Sequence, residues 1–168
     1  NELRDYYNEQ TLRFKKDWNV EFRAYNDGIA YRFVSRSKKP FNVVDETVDY
    51  RFPSDMVASV PYVKAGKDGD YESQYFNSFE NTYTTDRLSK LNKKRLMFLP
   101  LVVDAGEGVK ICITESGLEN YPGLYLSAAE GEKRLTGQFA PYPKKTVQGG
   151  HNQLQMLVKE REAYIAKV

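Results

Sequence analysis

One cysteine, one histidine and one tryptophan are all that the 168 residues contain, and each scarcity removes a class of architecture or chemistry. A single thiol, Cys112, cannot close an internal disulfide, so the chain is no disulfide-stapled scaffold and cysteine usage says nothing of its compartment. Set in an apolar run, Cys112 reads as a small core residue. His151 follows Gly149-Gly150 and has no Cys or second His at ligand spacing, so it reads as a loop residue and not as part of a zinc motif. No stretch approaches the ~18 consecutive apolar residues of a membrane-spanning helix, and no membrane insertion is expected. An excess of one charge is lacking too. The 25 Lys and Arg set against 23 Asp and Glu leave +2, with the signs interspersed, which argues against nucleic acid or an anionic membrane as a partner. A start methionine and a signal peptide are also absent before NELRDYYNEQ, the pattern of a processed product or an excised fragment.

What the chain does have is tyrosine, 13 residues beside nine Phe, a composition that favours strands and can also line sugar-binding surfaces. Its length suits one large domain spanning residues 1–168. Gln10 to Lys16 reads as a first strand. Trp18, Val20, Phe22 and Ala24 then alternate with Asn19, Glu21, Arg23 and Tyr25, predicting one buried and one wet face. Asn26-Asp27-Gly28 predicts a hairpin through the positive φ angles that Asp-Gly accommodates, and Ile29, Tyr31 and Phe33 return on one face. Val48, Tyr50 and Phe52 form the next alternating set.

Met56 to Tyr62 predicts another strand, followed by an exposed turn in KAGKDGD. The aromatic Gln74 to Lys94 region reads as a strand, an ordered loop and a second strand. RLMFLPLVV, residues 95–103, is apolar on both faces and predicts the most buried strand, with a bulge or edge at Pro100. Asp104 to Gly108 makes a glycine-built hairpin. Lys133 to Phe139 predicts a strand, PYPKKTVQGG a surface loop, and the alternation of Leu154, Met156 and Val158 a last strand. Many short strands and almost no helix predict an all-β sandwich with mainly antiparallel pairing.

The most informative stretch is Val109 to Leu126, VKICITESGLENYPGLYL. Val109, Ile111 and Ile113 share one face of a period-2 strand, and Glu115 falls in line with them. An unpaired carboxylate cannot be buried cheaply, so Glu115 must lie at the rim of the core, meet a cation or hydrogen-bond donors, or bind a metal. By position alone, an ordinary rim carboxylate is the commoner outcome. Tyr121-Pro122-Gly123 has the residues of a type II turn, and Glu119 reads as solvated.

Three segments together carry a family resemblance: RAYNDGIAYRF at 23–33, SFENTY at 78–83 and LPLVVDAGEGVKICITESGLENYPGLYL at 99–126. They resemble the N-terminal β-super-sandwich domain of glycoside hydrolase family 97, which comprises α-glucosidases and α-galactosidases. The resemblance implies a galactose-mutarotase-like β-super-sandwich of two mainly antiparallel sheets, placed before a (β/α)8 catalytic barrel that would be the partner of this domain within one polypeptide. It implies an oligosaccharide substrate, a periplasmic location, and catalytic carboxylates that reside in the barrel and not here. It also implies that Glu115, which opens the E-x-x-L-x-x-Y-P-G motif, reaches into the active site as one ligand of a calcium ion, whose preference is for several hard oxygen donors. Glu80 and Tyr83, in SFENTY, are weaker candidates for the substrate cleft, with loop packing as the competing role. The expected function is thus an accessory domain with no activity of its own. A stand-alone carbohydrate-binding sandwich that stacks sugars on exposed aromatics such as Tyr75 or Tyr83 is the alternative, and a structural or adhesive β-domain is what composition alone would suggest.

Overall fold

A computed structural model describes residues 5–129, 133–148, 154–156 and 160–168. His151 and Val158 lie outside the described residues. Strands dominate, joined by two short 3-10 turns at Glu72–Gln74 and Leu88–Lys90, and no α-helix occurs among the described residues. The all-β expectation is met, with antiparallel pairing in every sheet. No described helix is long and apolar enough to cross a membrane. The chain divides into two compact units, Asn1–Pro40 and Phe41–Val168.

The first unit is a three-stranded meander of β1 (Asn8–Arg13), β2 (Trp18–Ala24) and β3 (Ile29–Ser35). The first strand ends earlier than Lys16, because Lys16 and Asp17 both adopt positive φ, 61° and 63°, and form the tight turn into β2. That conformation twists as flanking strands do, yet the pair lacks the glycine that would have announced it. The second hairpin forms where expected, but by other means. Tyr25 N–H donates to the Gly28 carbonyl at 2.8 Å, and none of Tyr25 to Gly28 has positive φ. The burial expectation for β2 fails: Phe22 and Trp18 are exposed, while Asn19, on the polar face, is buried. Arg36 holds Asn19 through Nη2 to Oδ1 at 3.1 Å, so the polar residue has its partner and burial carries no unpaired dipole.

The second unit contains a four-stranded sheet in the order β7 (Tyr83–Arg87), β6 (Val57–Pro61), β8 (Leu101–Gly106), β9 (Val109–Ile113). Beside it is a three-stranded sheet of β10 (Leu124–Ala128), β11 (Arg134–Phe139) and β5 (Asp49–Arg51). The inward residues Ala58, Val60, Leu101, Val103 and Ile113 of the first meet Leu124, Leu126 and Leu135 of the second in one core. Met97 ties the layers by exchanging backbone hydrogen bonds with Leu126 at 2.8 and 2.9 Å. Two-stranded pairs complete the unit: β4 (Asn42–Val43) with β14 (Ala166–Lys167), and β12 (Thr146–Gln148) with β13 (Leu154–Met156).

The residues 95–103 enclose Leu96, Met97, Leu101 and Val103 fully, but they are not the most buried strand that was expected: Pro100 is exposed, whereas all five residues of β10 are buried. The ladder starts only after Pro100, as a residue without an amide proton requires. Four further expectations are corrected. Gln74 to Lys94 supplies one strand, not two, because Glu72–Gln74 and Leu88–Lys90 are 3-10 turns. The surface loop PYPKKTVQGG contains β12. Cys112 is exposed, since β9 is an edge strand and Cys112 shares the outer face with its neighbour Val102. Of the aligned Val109, Ile111 and Ile113, only Ile113 is buried, because the core covers only the end of β9 nearest Glu115.

Candidate functional site

Glu115 lies two residues past the end of β9, where the chain leaves the sheet, and the loop that follows returns at Leu124 to open β10. Its carboxylate accepts the Leu124 N–H with both oxygens, at 3.0 Å to Oε1 and 2.9 Å to Oε2. The acid thus closes its own loop, meeting the first amide of the strand on the far side. Gly123 eases the approach: a Cβ at that position would lie 3.3 Å from Glu115 Oε1, a tight contact that the carboxylate would have to yield to. The expected type II turn at Tyr121-Pro122-Gly123 is absent. Positive φ falls instead on Gly117 and Asn120, at 67° and 57°, so what glycine offers at 123 is room beside the carboxylate and not a backbone conformation.

A second carboxylate belongs to the same locality. The Tyr121 hydroxyl donates to Glu46 Oε2 at 2.7 Å, and the Tyr121 ring stands edge-on to Phe139 of β11 with centroids 6.1 Å apart. The loop is therefore fixed at Tyr121 and again at Leu124. Partial burial pushes the Glu115 carboxyl above its ordinary value of 4.5; the negative Glu46 adds to the rise and the Leu124 N–H opposes it. Burial first, and the bonded Glu46 second, likewise raise the Tyr121 hydroxyl, so it stays a donor at neutral pH. Glu119 is exposed, as expected.

This chemistry suits a hard divalent cation, which would favour the charged form of Glu115 against both the burial and the neighbouring acid. It does not make a complete site. Among the described residues no group of three or more His, Cys, Asp or Glu converges, so the remaining ligands would have to come from outside them.

Glu80 and Tyr83 are not brought to Glu115. Tyr83 opens β7, and Glu115 follows β9, the opposite edge strand of the same sheet. The antiparallel order β7-β6-β8-β9 puts both at one end of the sheet, roughly 14 Å apart at ordinary strand spacing. The Tyr83 hydroxyl donates to the Pro100 carbonyl at 2.7 Å, leaving its half-exposed ring face to solvent. Glu80 is exposed in a loop that its neighbours hold: Phe79 stacks on Tyr125, and Asn81 donates to the Tyr62 carbonyl at 2.8 Å. Tyr75 packs edge-on against Tyr125 beside the Leu96 cluster, and burial pushes its hydroxyl up to about 12. It is a partly buried packing residue.

Glu46 is a site residue that sequence reasoning missed. It sits in the connection between β4 and β5, some 75 residues before its partner Tyr121, and no local spacing marks it. The adjacent acids Asp45 and Glu46, just before the alternating Val48, Tyr50 and Phe52, place a carboxylate there without saying what it meets.

The family described as glycosyl-hydrolase 97 N-terminal matches residues 1–160. A curated relative, the retaining alpha-galactosidase of Bacteroides thetaiotaomicron, is 81% identical over 167 residues, 99% of this chain. The chain spans only 25% of that relative's length.

Proposed function

The chain belongs to the glycosyl-hydrolase 97 N-terminal family, and from that premise we propose that it is the accessory domain of a calcium-dependent glycoside hydrolase acting on α-galactosides, with α-glucosides as the other substrate class in the family resemblance. In this reading it packs on a (β/α)8 barrel of the same polypeptide, in the periplasm, and lends that barrel one acidic calcium ligand, Glu115. The observation that carries it is the placement of Glu115: a half-buried carboxylate with a raised pKa, held at a strand end by a single backbone donor, beside a second acid. A purely structural domain has no use for that arrangement, since a neutral glutamine would hold the Leu124 amide without the cost of a partly buried charge.

A bound calcium would supply fixed positive charge at the edge of the sugar site. The work of this chain is orientation. Leu124 N–H aims the Glu115 carboxylate, Gly123 leaves it room, and the Tyr121 to Glu46 hydrogen bond fixes the loop that carries both. Bond cleavage belongs to the rest of the polypeptide, and the name of the 81% identical relative favours α-galactosides with retention of configuration.

The test is made on the full-length protein. Glu115→Gln should weaken calcium binding in isothermal titration at least tenfold and lower hydrolysis of an aryl α-galactoside in parallel, with excess calcium restoring part of the rate. Unchanged calcium affinity in a folded Glu115→Gln protein would remove Glu115 from the site.

A further inference from the structure

The meander of the first unit has two chemically distinct faces, and the register fixes which residues share each. Val20 pairs with Leu12 on one side and Phe33 on the other, and Phe22 pairs with Tyr31, Ala24 with Ile29. Directly paired residues of antiparallel strands project to the same side. That side, formed by Asn8, Gln10 and Leu12 of β1 with alternate residues from Trp18 to Ala24 and from Ile29 to Ser35, contains no ionisable carboxylate or cation. The opposite side has cross-strand ion pairs, Arg23 with Glu9 at 2.8 Å and Arg32 with Glu21 at 2.7 Å.

The charge-free face is the more exposed one. Ile29 is 79% exposed and Phe33 51%, and Leu12, Phe22 and Tyr31 are exposed with them. The rings of Phe22, Tyr31 and Phe33 stand 6.0 and 6.4 Å apart in sequence along the face, so the apolar surface is continuous. A sheet with one apolar face is stable in water only when another layer covers it, and a contiguous patch of this kind marks an interaction site.

We propose that this face of β1, β2 and β3 docks against an apolar surface of the same polypeptide lying beyond these 168 residues. This rests on the reading of the chain as an accessory domain within a longer enzyme. Three observations favour that occupant. Three-quarters of the length of the 81% identical relative lies outside the matched region, so ample chain is at hand. The absence of charge selects an apolar partner over an anionic or cationic one. A tethered segment also meets the face at a far higher effective concentration than a second copy does.

Hydroxyl-radical footprinting of the full-length native protein, read by mass spectrometry, decides it without mutation. Phe33 and Phe14 are nearly equally exposed in this structure, at 51% and 57%, and share one side-chain chemistry. With the face covered, Phe33 should oxidise at no more than a tenth of the Phe14 rate, at every protein concentration from 50 nM to 50 μM. A ratio near one overturns the proposal, and so does protection that fades on dilution, which would assign the face to a second copy. Phe33→Asp in the full-length protein should restore oxidation of Phe22 and Tyr31; their continued protection in a folded variant also counts against docking. A Phe33 to Phe14 ratio near one in a protein with intact calcium-dependent hydrolysis would remove the docking face alone. Low Phe33 oxidation with no effect of Glu115→Gln on calcium would remove the accessory-site reading alone.

Discussion

Glu115 and Leu124 close a nine-residue gap through one amide, whose proton is shared between both carboxylate oxygens at 3.0 and 2.9 Å. Leu124 is buried at the head of β10, so its N–H has no easy recourse to water. Glu115→Ala leaves that donor unsatisfied and should cost about 1–2 kcal/mol, whereas Glu115→Gln keeps an acceptor and should cost less. Chemical denaturation of the two variants checks the order. Equal losses would show that the hydrogen bond contributes nothing and the charge everything.

The same carboxylate fixes a pH dependence. Burial, aided by Glu46, raises its folded pKa above the ordinary 4.5, so the native state holds its proton longer than the unfolded chain does. The stability linked to this group is fully present below the unfolded value and is lost as pH rises through the folded one. In calcium-free buffer, Glu115→Gln should therefore gain stability relative to the parent as pH climbs from 4 to 7. A wild-type-minus-variant difference that stays flat, or grows in the opposite sense, contradicts the assignment. Added calcium should shrink the difference, since a cation favours the charged form.

Gly137 sits in β11 opposite Leu126, and a Cβ there would lie 2.7 Å from Val48 Cβ and 3.1 Å from Leu124 Cδ1. Val48 is held by backbone, since Gly137 N–H donates to the Val48 carbonyl at 2.7 Å, so the clash cannot be relieved by a rotamer change. Gly137→Ala should destabilise by about 1–3 kcal/mol and disturb the amide of Leu124, where Glu115 is anchored. A thermal melt and amide exchange at Leu124 measure both effects. A melt within a degree of the parent would mean that the two strands can separate at little cost.

How much of this was legible in the sequence depends on the range over which each cause acts. Alternation placed β2, β3, β5 and β9, because a period of two is a local property. It failed to say which face is buried: Phe22 and Phe33 alternate as core residues do, yet both are exposed. Turns failed where the conformation was forced by context. Lys16-Asp17 takes positive φ without glycine, and Gly123 is present for the sake of a carboxylate eight residues earlier. Glu115 stood out because an acid in phase with Ile111 and Ile113 is costly wherever it goes, whereas Glu46, bonded to Tyr121 across 75 residues, left no local trace.

Gln74 shows the same limit in the core. The residue is fully buried, with Nε2 donating to the carbonyls of Lys67 and Lys94 at 2.7 and 2.9 Å and Oε1 accepting from Leu96 N–H at 2.8 Å. Three backbone groups of two separate loops thus depend on one amide, which can serve them only because it is both donor and acceptor. Gln74→Leu nearly preserves volume but leaves all three without partners, and should cost ~3 kcal/mol or more. Gln74→Glu keeps the acceptor for Leu96 yet faces two carbonyls with a carboxylate, so it should be at least as damaging at neutral pH and should recover on acidification as the carboxyl gains a proton to donate. Urea unfolding of both variants at pH 7 and pH 4.5 separates packing from hydrogen bonding: if Gln74→Leu matches the parent, the network contributes no net stability and the side chain serves only as filler.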